Sequence, residues 1–304
     1  MTAATTIGGF EERWLDARGV RLRYFAAGAG PRLLLLHGLG GAASNWRGPA
    51  PALARRFRVL VPELPGHGGS SPLPAPTGVA GFADRVALVL EAEGGEAATV
   101  AGHSFGGATA VLLAERRPEL VNGLLLVAPA GVSSSGRRAR YFLEISFLLQ
   151  PGKVLSRFRH GLARSPAGRR LAFAHWGARD PEALDPVAAE GMLAGPALHT
   201  DTATAGRALY DWDVRNHLRP LGRPALVLWG ANDAQLPIAD AFDFARRLRA
   251  PLRVVAGCGH LVPMERPDAF LDALDALLDR VREVDELPLE AEALRQVGGE
   301  RLDA

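Results

Sequence analysis

The sequence has few of the residues that mark secreted, membrane-spanning or metal-binding proteins. Its only cysteine is Cys258, so no internal disulfide can form, and no Cys/His cluster has the spacing of a metal site. No apolar stretch approaches the roughly 20 residues of a membrane helix, and residues 1–10 do not resemble a secretory signal. We therefore expect a cytoplasmic chain with no membrane span, no metal ion and no cofactor.

An excess of charge of one sign is also missing. Lys and Arg together number 35 and Asp and Glu 33, which gives a formal net charge of +2. This excess is too small to indicate a nucleic-acid or membrane-surface partner. Hydrophobic residues make up 48% of the 304 residues and charged residues 22%, which is typical of a globular protein. The length allows one large domain, or a core domain with a smaller one inserted.

What the chain does contain is an alternation of short apolar runs and helical periodicities. Six runs end in Gly, Pro or His, as strands buried on both faces of a parallel sheet do; they are 33–36, 59–61, 99–101, 124–127, 225–228 and 253–255. Helices are predicted over 44–56, capped by Ser44, and over 79–93, 106–117, 238–248 and 267–284. Residues 11–27 predict an antiparallel hairpin. The alternation predicts an α/β fold with a doubly wound, mostly parallel sheet.

A long segment, from about residue 132 to 219, interrupts this alternation. It has no convincing strand pattern, and Gly and Pro separate helical pieces predicted at 137–149, 152–163, 166–176, 181–193 and 199–210. A helical insertion between two strands would lie over the carboxyl ends of the strands, where ligands bind in such sheets. We therefore predict a core of residues 1–131 and 220–304 and a helical cap of residues 132–219.

A candidate nucleophile lies in Gly102-His103-Ser104-Phe105-Gly106-Gly107. These residues match G-x-S-x-G between a predicted strand and an Ala/Leu-rich helix. The glycines allow strand and helix to approach closely around a tight turn that exposes the Ser104 hydroxyl. The alternative is a glycine-rich loop that happens to contain a serine. We predict Ser104 as the nucleophile and interpret His103 as a packing residue.

A second glycine-rich loop, His37-Gly38-Leu39-Gly40-Gly41, follows the run at 33–36. Such a loop exposes backbone N–H groups, and we predict that those of Leu39 and Phe105 form an oxyanion hole. The alternative is a strand-to-helix turn with no catalytic role. His37 is expected to shape the loop by hydrogen bonding rather than to act as a base.

The general base should be a histidine on a loop after a late strand, and His260 follows the last predicted strand. The other histidines are less well placed. His67 follows an earlier strand, and four more lie in the insertion or at its end: His160, His175, His199 and His217. Asp233 follows the strand at 225–228 and is predicted to orient the base; the alternatives are Asp240, Asp211 and Asp213. The chain order Ser, Asp, His then matches a known arrangement of this triad.

Together these motifs resemble those of the α/β-hydrolase superfamily. The likeness covers the two glycine-rich loops, Gly230-Ala231-Asn232-Asp233 and Gly257-Cys258-Gly259-His260. Residues 63–70 are similar to a family stretch that usually begins with Asp; here Glu63 takes that place, and we interpret it as loop-stabilising. The resemblance implies a cap between strands six and seven. A serine at the nucleophile position argues against the dehalogenase and epoxide-hydrolase branches.

The expected substrate follows from the cap. Phe142, Leu143 and Phe147 belong to an apolar segment that is predicted to line an acyl or aryl pocket, or alternatively to pack on other cap helices. We expect a serine esterase acting on small to medium apolar carboxylic esters, as a monomer or homodimer. The alternatives are a C–C bond hydrolase of ring-cleavage products and a non-hydrolytic ligand-binding protein on the same fold.

Overall fold

Eight strands form one sheet in the computed structural model, which describes residues 5–133, 149, 151–173 and 176–299, with side chains as far as residue 284. In chain order the strands are β1 (Glu11–Asp16), β2 (Arg21–Ala27), β3 (Arg32–Leu36), β4 (Arg58–Pro62), β5 (Ala98–His103), β6 (Val121–Val127), β7 (Ala225–Gly230) and β8 (Leu252–Val255). Their order across the sheet is β1-β2-β4-β3-β5-β6-β7-β8. β2 pairs antiparallel with β1 and β4, and the remaining neighbours are parallel.

Helices connect the strands. Within the described residues they are α1 (Ala50–Leu53), α2 (Val79–Ala92), α3 (Phe105–Arg116), α4 (Pro151–Ser156), α5 (Arg159–Arg164), α6 (Pro166–Phe173), α7 (Pro186–Ala194), α8 (Ala203–Tyr210), α9 (Ile238–Leu248), α10 (Val262–Glu265) and α11 (Pro267–Gly299). Short 3₁₀ turns cover Ala43–Trp46, Pro118–Leu120, Pro181–Ala183, Gly195–Leu198 and Val214–Asn216. No helix in this part of the chain is long and apolar enough to cross a bilayer.

The sheet is buried on both faces. Alternate residues of β3 point to opposite sides: Leu34 and Leu36 join the core cluster with α2, α3 and α9, and Leu33 and Leu35 join the cluster with α1 and α11. A strand covered by helices on both faces has no polar side, which explains the uninterrupted leucines. The predicted α/β class and its doubly wound, mostly parallel sheet are confirmed, as is the hairpin of β1 and β2.

The predicted helix over 44–56 is wrong. The chain forms a 3₁₀ turn at Ala43–Trp46 and a single helical turn at Ala50–Leu53. Gly48 and Pro49 separate the two, because proline has no N–H to continue a helix and glycine is costly in one. Ser44 is not a cap; its buried hydroxyl donates to the carbonyl of Gly191 at 2.6 Å. The last helix, in contrast, runs beyond its expected end to Gly299.

Between β6 and β7 the described residues form helices and turns without a strand. Phe173 and Leu193 from this insertion pack in one apolar cluster with Leu261 and Met264, which follow β8. The insertion therefore contacts a segment that follows the carboxyl end of β8. The predicted helix at 137–149 falls almost wholly outside the described residues, and the division into core and cap stays a prediction.

Candidate active site

Ser104 lies at the sharp junction between β5 and α3. Its backbone has φ of +54° and ψ of −117°, a conformation that residues other than glycine rarely adopt. A Cβ at Gly102 would come within 2.5 Å of the carbonyl oxygen of Gly106, and a Cβ at Gly106 would overlap the carbonyl of Leu36. Only glycine permits these approaches. The strained turn presents the half-buried Ser104 side chain at the carboxyl edge of the sheet.

The two predicted oxyanion donors lie at the same edge. Phe105 is the first residue of α3, so its N–H has no acceptor within the helix. Leu39 is in the loop that follows β3, and β3 pairs with β5 in a register that sets Leu36 beside Gly102. A Cβ on Gly38 would come within 3.1 Å of the Ser104 Cβ. The structure thus brings the loop at 37–41 against the Ser104 turn, and the oxyanion role of its N–H groups stays a prediction.

The structure also brings Asp233 and His260 together. The Nδ1–H of His260 donates to the Oδ2 of Asp233 at 2.7 Å, and the two side chains are only 4% and 1% exposed. The other carboxylate oxygen accepts from the N–H groups of Gln235 and Leu236 at 2.8 and 2.9 Å. This bonding fixes the imidazole with Nε2 free to accept a proton, which is the state that a general base requires.

Two of the three alternative acids have other partners. Asp240 accepts from both the N–H and the hydroxyl of Ser133, at 3.0 and 2.7 Å, and burial raises the pKa of its carboxyl. Asp213 is paired with Arg215 at 2.6 Å. Asp233 therefore remains the candidate among these carboxylates.

His103, the last residue of β5, contacts the loop that carries His260. Its Nε2–H donates to the carbonyl of His260 at 2.9 Å, and the two rings lie 4.8 Å apart. Burial lowers the pKa of His103 to about 3, so its ring is neutral and does not repel a positive charge on His260. The interpretation of His103 as a packing residue missed this hydrogen bond. The only feature of the sequence that could have indicated it is the position of His103 next to Ser104.

We expect His103→Leu to lower kcat/KM by as much as about 100-fold, because it leaves the His260 carbonyl unpaired and the imidazole less well placed. His103→Gln retains an N–H donor and should retain more of the activity. Steady-state kinetics of both variants test this, with His160→Leu, at an exposed histidine, as the control. Equal activity in the Leu and Gln variants would contradict a role for the hydrogen bond.

Glu63, at the start of the loop after β4, forms a buried ion pair with Arg23 of β2. Their side chains are 0% and 1% exposed, and Nη1 of Arg23 lies 3.5 Å from Oε2 of Glu63. The carboxylate accepts from the N–H of Gly69 at 2.6 Å. A side chain at position 68 would overlap the Glu63 carboxylate. Because residue 68 is glycine, there is space for glutamate, which is one methylene longer than aspartate. These contacts support the loop-stabilising interpretation of Glu63.

Glu63→Gln should remove a pH dependence of stability. Burial raises the pKa of Glu63 from 4.5 to about 7, so the folded chain binds this proton more tightly than the unfolded chain. The stability that this provides is fully present below about pH 4.5 and is lost as the pH rises toward about 7. Thermal unfolding from about pH 5 to about pH 8 should show wild type losing stability relative to Glu63→Gln, with exposed Glu96→Gln as control. A constant difference across this window contradicts the prediction.

The three predicted pocket residues, Phe142, Leu143 and Phe147, lie outside the described residues. Closer to the base, Leu261 is part of the apolar cluster that includes Phe173 of the insertion. The N–H of His260 itself donates to the carbonyl of Gly177 at 2.8 Å. The insertion therefore supports the loop that carries the candidate base.

Comparisons with known proteins agree with this architecture. Pimeloyl-[acyl-carrier protein] methyl ester esterase of Nitrosomonas europaea is 29% identical over 255 residues, which cover 82% of this chain and 96% of that protein. The 2-hydroxy-6-oxo-6-(2'-aminophenyl)hexa-2,4-dienoic acid hydrolase of Metapseudomonas resinovorans is 27% identical over 287 residues, or 89% of this chain and 92% of that one. A crystal structure described as a bacterial membrane phospholipase A matches with a TM-score of 0.71 at 29% identity, over 92% of this chain and 89% of that one. A family model for the alpha/beta hydrolase fold matches residues 31–267. The chain therefore belongs to the α/β-hydrolase family.

Proposed function

We propose that this chain is a serine hydrolase that cleaves carboxylic esters of small to medium apolar substrates through Ser104, His260 and Asp233. The observation that carries the proposal is the buried 2.7 Å hydrogen bond between Asp233 and His260. It lies at the sheet edge where a strained turn presents the half-buried Ser104 side chain. His103, which precedes Ser104, bonds to the backbone of His260 at 2.9 Å, so the serine and the base belong to adjoining segments. A carboxylate that orients an imidazole within reach of a serine is the arrangement that activates a hydroxyl nucleophile.

In the proposed mechanism, Nε2 of His260 takes the proton of the Ser104 hydroxyl as its oxygen attacks the carbonyl carbon of the ester. Asp233 holds the Nδ1–H and stabilises the imidazolium that forms. The N–H groups of Leu39 and Phe105 receive the developing negative charge on the carbonyl oxygen. His260 then gives its proton to the leaving alcohol. In the second half, His260 takes a proton from a water molecule that attacks the acyl carbon, and it returns this proton to the Ser104 oxygen as the acyl–serine bond breaks and the acid is released.

The surroundings of the base support an apolar substrate. Leu261 and Met264, which follow His260 in the chain, pack with Phe173 and Leu193 of the insertion, so the site adjoins an apolar layer. Burial in such a layer strengthens the hydrogen bonds that stabilise the transition state. The esterase relative, which aligns over 96% of its own length, supports ester chemistry. Phe142, Leu143 and Phe147 are proposed to extend this apolar lining.

Cleavage of a C–C bond is the second candidate, and the similarity to the dienoic acid hydrolase of M. resinovorans favours it. The same triad would serve, since a ketone carbonyl replaces the ester carbonyl. The two candidates differ in the leaving group, which is an alkoxide in one case and a carbanion in the other.

A substrate panel tests the proposal. Purified protein is assayed with 4-nitrophenyl esters from acetate to laurate and with 2-hydroxy-6-oxo-6-phenylhexa-2,4-dienoate, with Ser104→Ala as the blank. We expect turnover of the esters with the highest kcat/KM at short to medium chain length. Faster turnover of the dienoate than of any ester would replace the ester proposal by the second candidate. Absence of both activities, together with no labelling by a fluorophosphonate, would refute the hydrolase function.

A further inference from the structure

Residues 199–201 of the insertion, which we call the strap, lie on two core loops at once. The Nε2–H of His199 donates to the carbonyl of Gly40 at 2.9 Å, and its Nδ1 accepts from the N–H of Gly68 at 2.9 Å. The N–H groups of Thr200 and Asp201 both donate to the carbonyl of Gly66 at 3.0 Å. The strap thus joins the loop after β3, at 37–41, to the loop after β4, at 63–70.

His199 is suited to hold one geometry. Its half-buried ring packs against that of His67, with the centroids 5.4 Å apart, and desolvation lowers the pKa of His199 to about 3. A neutral imidazole has one donor and one acceptor nitrogen, and both are used here. The bond to Gly40 therefore requires the tautomer with the proton on Nε2.

The hydrogen bond from His199 to Gly40 restrains the predicted oxyanion donor, the N–H of Leu39, through two peptide units. His199 holds the carbonyl of the Gly40–Gly41 peptide, and the N–H of the same peptide donates to the carbonyl of Gly38 at 3.0 Å. The carbonyl of Gly38 shares a planar peptide with the N–H of Leu39, which must point the opposite way. Fixing the first peptide therefore fixes the direction of the Leu39 N–H.

The loop needs such support because it is rich in glycine. Gly40 has φ of +70°, and Gly38 and Gly41 also lack the Cβ that restricts the backbone. The core supplies one restraint, since Nδ1–H of His37 donates to the carbonyl of Gly38 at 2.8 Å. His199 supplies the other, from a segment 159 residues away in the chain.

We propose that His199 is a positioning residue of the oxyanion hole, which holds the Gly40–Gly41 peptide so that the Leu39 N–H faces the reacting carbonyl. The role in catalysis rests on the proposed function of the site. The hole is then complete only when the strap is seated on the loop at 37–41, and part of the insertion belongs to the catalytic framework.

Three variants separate the two hydrogen bonds of the imidazole. His199→Gln retains a donor near the position of Nε2, His199→Asn retains an acceptor near that of Nδ1, and His199→Leu retains neither. Removing one oxyanion donor costs about 100-fold to 1000-fold in kcat. We expect losses of about 100-fold for the Leu and Asn variants and less than about tenfold for Gln, with KM within about threefold of wild type.

Two readouts distinguish this role from simple packing. The inhibition constant of a trifluoromethyl ketone, which forms an oxyanion on Ser104, should rise in step with the loss of kcat. Hydrogen exchange of a peptide covering residues 37–42 should quicken in the Leu and Asn variants and stay near wild type in Gln. His217→Leu is the matched control: it removes another bond between a histidine of the insertion and the core, at 2.6 Å to Glu115, and should leave kcat unchanged.

Unchanged kcat and unchanged exchange in folded His199→Leu would overturn the inference. Equal losses in all three variants, in step with their melting temperatures, would also overturn it, because His199 would then only support packing. If the wild-type protein neither hydrolyses esters nor reacts with a fluorophosphonate, the proposed function fails, and the exchange data alone decide whether His199 holds the loop.

Discussion

Ser104→Ala is expected to lower kcat on any ester that the wild-type protein hydrolyses by about 10⁴-fold to 10⁶-fold. The hydroxyl is the nucleophile that attacks the ester in the proposed mechanism, so its loss leaves a water molecule to attack the substrate directly. KM should change little, because the substrate is not bound through the hydroxyl before it reacts. Residual turnover should come from the oxyanion donors and from substrate binding alone.

Fluorophosphonate labelling followed by mass spectrometry provides a second measurement of Ser104. The wild-type protein should gain one phosphonyl group on the peptide that contains Ser104, and Ser104→Ala should gain none. Ser165→Ala, at an exposed serine of the insertion, should be labelled like the wild type. Normal turnover or labelling in folded Ser104→Ala would remove Ser104 from the mechanism.

His260→Ala should cost about as much as Ser104→Ala, and the double variant should be no slower than either single variant. Serine and base act as one unit, so when either is absent the other no longer contributes to the rate. Asp233→Asn should be somewhat less damaging, with a loss of about 10⁴-fold. The amide can donate to Nδ1 of His260, which would place the ring proton on Nε2 and block its function as base.

A kinetic comparison of these variants checks the assignment of roles. If the double variant lost activity by a factor equal to the product of the two single losses, joint action of Ser104 and His260 would be contradicted. Asp213→Asn is a suitable control, because that carboxylate is paired with Arg215 instead of the imidazole. Asp233→Asn as active as Asp213→Asn would exclude Asp233 as the orienting acid.

The strands could be predicted because the signals for them are local. A run such as Leu33–Leu36 has both faces buried, so apolar character without alternation marks it directly, and the residues that follow each run end it. The helix expected over 44–56 shows where this fails. Its apolar spacing is helical, but Gly48 and Pro49 break the backbone, and Ser44 bonds to Gly191 rather than to its own helix.

Local patterns also pointed to the three candidate residues for chemistry. Ser104 is enclosed by glycines that a tight turn requires, and Asp233 and His260 each follow a strand of a parallel sheet. Because parallel strands end at one edge, motifs far apart in the chain were expected to meet there. The bond between Asp233 and His260 agrees with that expectation.

By itself, then, the sequence determined the family, the α/β class, the hairpin and the succession of strands, and it named the candidate triad. The tertiary structure alone decided which side chains support those residues. His103 meets the carbonyl of His260 across 157 residues and His199 meets that of Gly40 across 159. Periodicity and turn signals act within a few residues, whereas such partners are selected by packing between remote segments, so no local pattern could reveal them.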